Sequence, residues 1–224
     1  MLRKRAYSDG CAAAHALDLI GDRWAMPVMR EMLLGPRRFS DIRAALPGLS
    51  ANVLTQRLEE LEAVSIVQRR KLPPPASVQV YELTQWGLES EELFKVLGRW
   101  AARSPYKEPG PMSPVSLIMS MRTMFSPERA GAMKAAIGFR FGPETFRADI
   151  NKGEISAGRG DVADVAVLFD GDQNALIESL YGGVPLDALA DRLQVTGDRA
   201  LADKFLTLFP LPSVVPDLRP SISD

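Results

Sequence analysis

A single cysteine in 224 residues excludes an internal disulfide framework and fits a reducing compartment. With only one histidine beside it, a structural zinc site lacks its ligand set, so no metal is expected. Long apolar runs are missing too: no stretch approaches the roughly 18 residues of a spanning helix, which removes the transmembrane reading and any membrane partner. The start, Met-Leu-Arg-Lys-Arg, is basic but leads into Tyr-Ser-Asp-Gly instead of an apolar signal core, so a cytoplasmic location is expected. Gly-x-Ser-x-Gly, Gly-x-x-x-x-Gly-Lys and paired histidines are all absent, and neither an enzymatic role nor a cofactor is expected.

What is present is globular: 46% hydrophobic and 25% charged residues, with length for two small domains. The net charge of -1 conceals an asymmetry. Residues 1–105 hold 15 basic and 12 acidic side chains, whereas residues 106–224 hold 12 and 16. A mildly basic half with clustered arginines suits local contact with phosphates, and the acidic half does not.

The stretch from Arg37 to Leu61 reads as two short helices with a sharp break. Phe39, Ile42 and Leu46 give the first one apolar face, and Pro47-Gly48 stops it. Ser50 is placed to cap the second, in which Leu54, Leu58 and Leu61 form a buried stripe. Asn52, Gln56 and Glu59 then point outward with Thr55 on the flank. Planar amides carry a donor and an acceptor side by side, which matches the major-groove edge of adenine. A solvated face on a core helix would show the same residues. Arg37 and Arg38 before the first helix, and Arg69-Arg70-Lys71 after the second, favour a helix-turn-helix bound to double-stranded DNA.

Ahead of this motif, residues 11–20 and 23–34 read as helices. Beyond it, Val64 to Arg70 and Val78 to Thr84 alternate like strands around Pro73-Pro74-Pro75, giving a β-hairpin wing whose Arg69, Arg70 and Lys71 would contact phosphates. Thr84 should cap a helix running to about Arg103, with Leu93, Val96, Leu97 and Trp100 at helical spacing. A homodimer interface explains that much apolar surface, and packing on the second domain is the rival explanation.

Gly21-Asp-Arg-Trp, Leu34-Gly-Pro-Arg-Arg-Phe-Ser-Asp-Ile, Leu49-Ser-Ala-Asn-Val-Leu-Thr-Gln-Arg-Leu-Glu-Glu-Leu and Val80-Tyr-Glu-Leu-Thr, in this order, resemble the HxlR family of winged helix-turn-helix regulators, within the wider MarR-like group. The resemblance implies a bacterial transcription factor that dimerises through helices at about 11–20 and 87–103. The DNA-binding residues it then assigns, together with the pattern above, are Arg37, Arg38, Ser40, Ser50, Ala51, Asn52, Thr55, Gln56, Arg57, Arg69, Arg70 and Lys71. Ser65 stands where the family usually has glycine, so a positive φ is expected there at some cost. Cys11 matches a position where some members carry a redox-sensing thiol; a small packing residue is the plainer reading.

Four prolines stiffen residues 104–114. The domain boundaries are accordingly set at 1–105 for the mainly-α winged helix, 106–113 for a Pro-rich linker, 114–211 for an α+β domain and 212–224 for a tail. The later domain should place an antiparallel sheet under helices. Ala166-Val-Leu-Phe-Asp-Gly-Asp, Gly182-Gly and Val195-Thr-Gly-Asp-Arg-Ala-Leu resemble the sterol-carrier-protein-like domain. That resemblance implies an apolar tunnel for a hydrophobic small molecule, with Met119, Met121, Phe125, Phe141, Phe169, Phe205 and Phe209 as candidate lining. Plain core is the alternative for each of them. Asp170, Asp172 and Asp198 read as helix caps. Two functions follow: a regulator controlled by an apolar effector in the second domain, or one whose second domain is a dimerisation or partner scaffold, with any control through Cys11. A lipid carrier that does not bind DNA is disfavoured by the arginines.

Overall fold

The computed structural model describes residues 7–217; residues 1–6, with their basic start, and the last residues of the tail lie outside that range. The chain divides into two compact units, with the boundary between Leu93 and Phe94. No helix among the described residues is long and apolar enough to cross a membrane.

Unit 1 opens with α1 (Ala12–Ile20) and α2 (Ala25–Met32), followed by α3 (Phe39–Ala45) and α4 (Ala51–Ala63). The Ser50 hydroxyl caps α4 by accepting from the Val53 N–H at 3.3 Å. Val28 and Met29 of α2, Ile42 of α3 and Leu54, Leu58 and Leu61 of α4 are buried together with Ile66 and Val80. The wing pairs β1 (Val67–Lys71) with β2 (Gln79–Leu83) antiparallel, Val67 facing Leu83 and Arg70 facing Val80. The first strand begins three residues later than the alternation from Val64 predicts. Val64 and Ser65 instead turn the chain, with Ser65 at φ 60° as the missing glycine required.

Thr84 caps α5 (Gln85–Glu89), accepting from the Gly87 N–H at 3.1 Å. A Cβ on Gly87 would lie 2.3 Å from the Ile66 carbonyl oxygen, so this contact is open to glycine alone. The expected single helix to Arg103 is in fact two. Ser90 breaks it by donating to the Gly87 carbonyl at 2.6 Å, a side chain competing with the backbone ladder, and α6 (Glu91–Ala101) follows.

In unit 2, α7 (Pro114–Met124) starts with Pro114 in its first turn behind a Ser113 cap. After α8 (Pro127–Ala130), β3 (Lys134–Phe141), β4 (Glu144–Asn151) and β5 (Glu154–Arg159) form a meander. β6 (Val167–Gly171), α9 (Gln173–Gly182), a 3-10 turn at Leu186–Leu189, β7 (Leu193–Gly197) and α10 (Arg199–Leu206) complete the fold. Strand order is β5-β4-β3-β6-β7. The α+β class agrees with the sequence, but the sheet is mixed: β6 returns beside β3 in parallel, Ile137 level with Val167.

Asp172 and Asp198 cap α9 and α10 as their positions imply. Asp170 does not cap. It sits on β6 and pairs with Arg140 across the sheet at 2.5 Å. The tail returns to residues 103–106, where the Val215 N–H donates to the Arg103 carbonyl at 2.8 Å and the Tyr106 hydroxyl donates to Asp217 at 2.9 Å.

Candidate DNA interface

On α4 the buried stripe turns Asn52, Thr55, Gln56 and Glu59 to solvent, while Ser50 is exposed and Ala51 half-buried at the helix start. Gln56 is pre-oriented: its amide N–H donates to the Glu60 carboxylate at 2.9 Å, one turn along. Its second N–H and its carbonyl oxygen remain for a base edge. Glu60 escaped the sequence reading, although the four-residue spacing was there to find it.

Two arginines expected at phosphates are not on the surface. Arg57 is only 9% exposed; its guanidinium pairs with Asp22 at 2.5 Å and Glu60 at 2.7 Å, fastening α4 to the loop before α2. The helical wheel explains this, since position 57 flanks the inward stripe of Leu54, Leu58 and Leu61, next to Leu61. Arg37 is 7% exposed, and its backbone exchanges two 2.8 Å hydrogen bonds with Tyr81, an isolated bridge that ties it to the wing. That pairing joins residues far apart in the chain, so local pattern gives no warning of it.

Arg38, at the N-cap position of α3, is exposed, as is Ser40, whose hydroxyl donates to Asp41 at 3.2 Å. Arg69, Arg70 and Lys71 all project from β1. Arg69 pairs with Glu62 at 2.5 Å, and Arg70 grips Glu82 through Nε and Nη2, the latter at 2.8 Å. Hydrogen bonding from Arg70 holds the Glu82 carboxyl below the usual carboxylate range, and both guanidiniums are raised by their carboxylate partners. Water screens exposed pairs of this type and they stabilise little, so a phosphate can displace the carboxylate.

Residues 19–108 match the HxlR-like helix-turn-helix family model. The HTH-type regulator YvaP of Bacillus subtilis is 37% identical over 86 residues, which are 38% of this chain and 80% of that protein. YodB of the same organism is 35% identical over 95 residues, 42% of this chain and 83% of YodB. The chain belongs to the HxlR-like family. It is a DNA-binding transcriptional regulator of the HxlR/MarR type. Among solved structures, the reduced form of YodB is 33% identical at a TM-score of 0.39, covering 46% of this chain and all of that one. YodB has also been solved bound to quinone, and another similar chain, HypR, is a redox regulator solved in its oxidised form. The HxlR match ends at residue 108, before the five-stranded sheet begins.

Six of the seven candidate pocket residues of unit 2, Met119, Met121, Phe141, Phe169, Phe205 and Phe209, are buried, and Phe125 is half-buried. Phe139 stacks on Phe169 with centroids 5.8 Å apart, Phe205 meets Phe209 edge-on at 5.0 Å, and Phe125 lies 6.0 Å from Phe209. Phe141 continues the cluster beside Phe139, and Met119 and Met121 are buried on α7. These rings pack on one another. Cys11 is exposed at the N-cap position of α1, and hydrogen bonding from the Ala14 and Ala13 backbone lowers its thiol pKa.

Proposed function

We propose that this HxlR-family regulator binds a two-fold operator as a homodimer, α4 reading bases through Asn52, Thr55 and Gln56. Arg38, Arg69, Arg70 and Lys71 reach the phosphates. The observation that carries the reading is the division of α4 into a buried leucine stripe and an outward row of amides. The second copy pairs through α6, whose Leu93, Val96, Leu97 and Trp100 all face solvent in the single chain. Unit 2, with its ring-packed core, acts as a scaffold in this reading; its sterol-carrier-like character stays with the motifs around Ala166, Gly182 and Val195. Fluorescence anisotropy on specific and random duplexes tests the roles. Gln56→Ala should relax base preference at one position of each half-site, whereas Arg38→Ala should weaken both duplexes alike and reduce the log–log salt slope by about 1. Equal losses on both duplexes for both variants would overturn the assignment.

A second reading, redox control through Cys11, is favoured by the exposed, pKa-lowered thiol at a helix start. Treatment with a thiol oxidant or a quinone should then change operator affinity in the native chain and leave Cys11→Ser unaffected. An identical response of both proteins would remove it.

A further inference from the structure

The outward amide of Gln56 ends a chain of four side chains that starts on another element of unit 1. Asp22, in the loop before α2, pairs with Arg57 Nη1 at 2.5 Å. The buried Arg57 guanidinium then holds both oxygens of Glu60, Nη1 lying 2.7 Å from Oε2 and Nη2 3.3 Å from Oε1. Glu60 Oε1 also accepts the Gln56 amide N–H at 2.9 Å. A surface pair one helical turn apart is weak when both partners are free to move. Here the acceptor is fixed from beneath by a guanidinium that is itself tied to Asp22. The direction of the amide follows from chemistry: a carboxylate only accepts, so the nitrogen end of Gln56 faces Glu60 and the oxygen end faces away.

We propose that Glu60 is a positioning residue for base recognition, clamping the Gln56 amide so that one place in each half-site takes adenine and rejects guanine. An unclamped amide has two N–H groups to offer, and these suit the two acceptors of guanine, O6 and N7. With one N–H given to Glu60, a single N–H and the carbonyl oxygen remain. That pair matches the N7 acceptor and N6 donor of adenine, whereas guanine would set O6 against the amide oxygen. Arg57, withdrawn from phosphate, serves recognition by a second route: it holds the clamp and offsets the charge of a carboxylate on a helix that meets DNA. The proposal rests on the reading above, in which α4 presents Gln56 to base edges.

The test measures full-length chain on operator duplexes carrying each base pair in turn at every position of a half-site. Removing a carboxylate strengthens binding to all duplexes, so the affinity ratio between duplexes is what is read. Glu60→Ala should lower the adenine-to-guanine ratio at least about fivefold at the position that Gln56→Ala flattens, and at no other. In a Gln56→Ala background Glu60→Ala should change that ratio no further. Asp22→Asn, an exposed change at the far end of the chain of contacts, should lower the same ratio about two- to threefold. A ratio retained in Glu60→Ala overturns the proposal, as does an equal loss at every position or a loss that persists without Gln56. Nitrogen-15 relaxation of the free chain separates the clamp from the reading. The Gln56 side-chain amide should be as ordered as the backbone in the native chain and as mobile as that of exposed Gln85 in Glu60→Ala. If it behaves so while Gln56→Ala alters no base preference, the reading role of Gln56 fails and the clamp stands. If Gln56→Ala flattens one position but the native amide is already mobile, the clamp alone fails.

Discussion

Helices α6 and α7 are each 11 residues long, and both are rich in apolar side chains. Seven residues of α7 are buried, from Val115 to Thr123, and none of α6 is. The difference lies in how the apolar residues are distributed. In α7 they occupy nearly every side of the helix, which only a core can satisfy. In α6 Leu93, Val96, Leu97 and Trp100 form one exposed stripe beside Glu92, Lys95 and Arg99, with Phe94 half-buried off that stripe. Burying such side chains is worth about 1.5–3 kcal/mol each, which in the proposed dimer would drive association. Trp100 is 74% exposed and Val96 62%.

The contrast breaks first if α7 proves tolerant. Ile118→Ala in its fully buried face should cost about 2–5 kcal/mol in urea unfolding; a loss well under that range would mean the helix is not packed as described. A pH effect sharpens the same point. The Ser120 hydroxyl of α7 lies 2.5 Å from the Tyr181 hydroxyl, and burial pushes the Tyr181 pKa up to about 12. A phenol raised above its unfolded value of about 10 favours the neutral folded form. Its contribution is complete below pH 10 and is lost as pH rises towards 12. The loss across that window is on the order of 2–3 kcal/mol. Tyr181→Phe should flatten the fall in stability between pH 10 and 12, and an unaltered profile would dissociate the effect from this pair.

Smaller effects belong to unit 1. Ser65→Gly should raise stability by about 1 kcal/mol by relieving its left-handed backbone, read as an upward shift of the melting temperature. Smallest of all, Val96→Asp on α6 should move the unfolding free energy of the dilute chain by no more than about 0.5 kcal/mol. In sedimentation equilibrium the same variant should be a monomer. A folded, still-associating variant would transfer the dimer face elsewhere.

Much of unit 1 was legible because its signals are local. The caps at Ser50 and Thr84 depend on neighbours within a few residues, whereas the left-handed turn at Ser65 was legible only through the family resemblance. What the sequence did not disclose depends on distant partners. Arg37 bonds to Tyr81 and Arg57 to Asp22, so two arginines that look available for phosphate are structural. The same limit applied to the phenylalanines of unit 2. Which rings face one another is set by residues far apart in the chain, Phe139 meeting both Phe169 and Phe205. The parallel pairing of β6 with β3 is equally non-local, set by how the chain crosses back after the meander.

The Thr84 hydroxyl donates to the Ser65 carbonyl at 2.7 Å and also reaches the Ile66 carbonyl, while it accepts from Gly87. One oxygen thus rivets the exit of α4, the root of the hairpin and the start of α5 into a single joint. A helix and a wing so joined cannot approach a duplex by separate routes. In the proposed complex, curvature or groove width that suits one would have to suit the other, so the shape of the DNA between their footprints would be part of what is recognised.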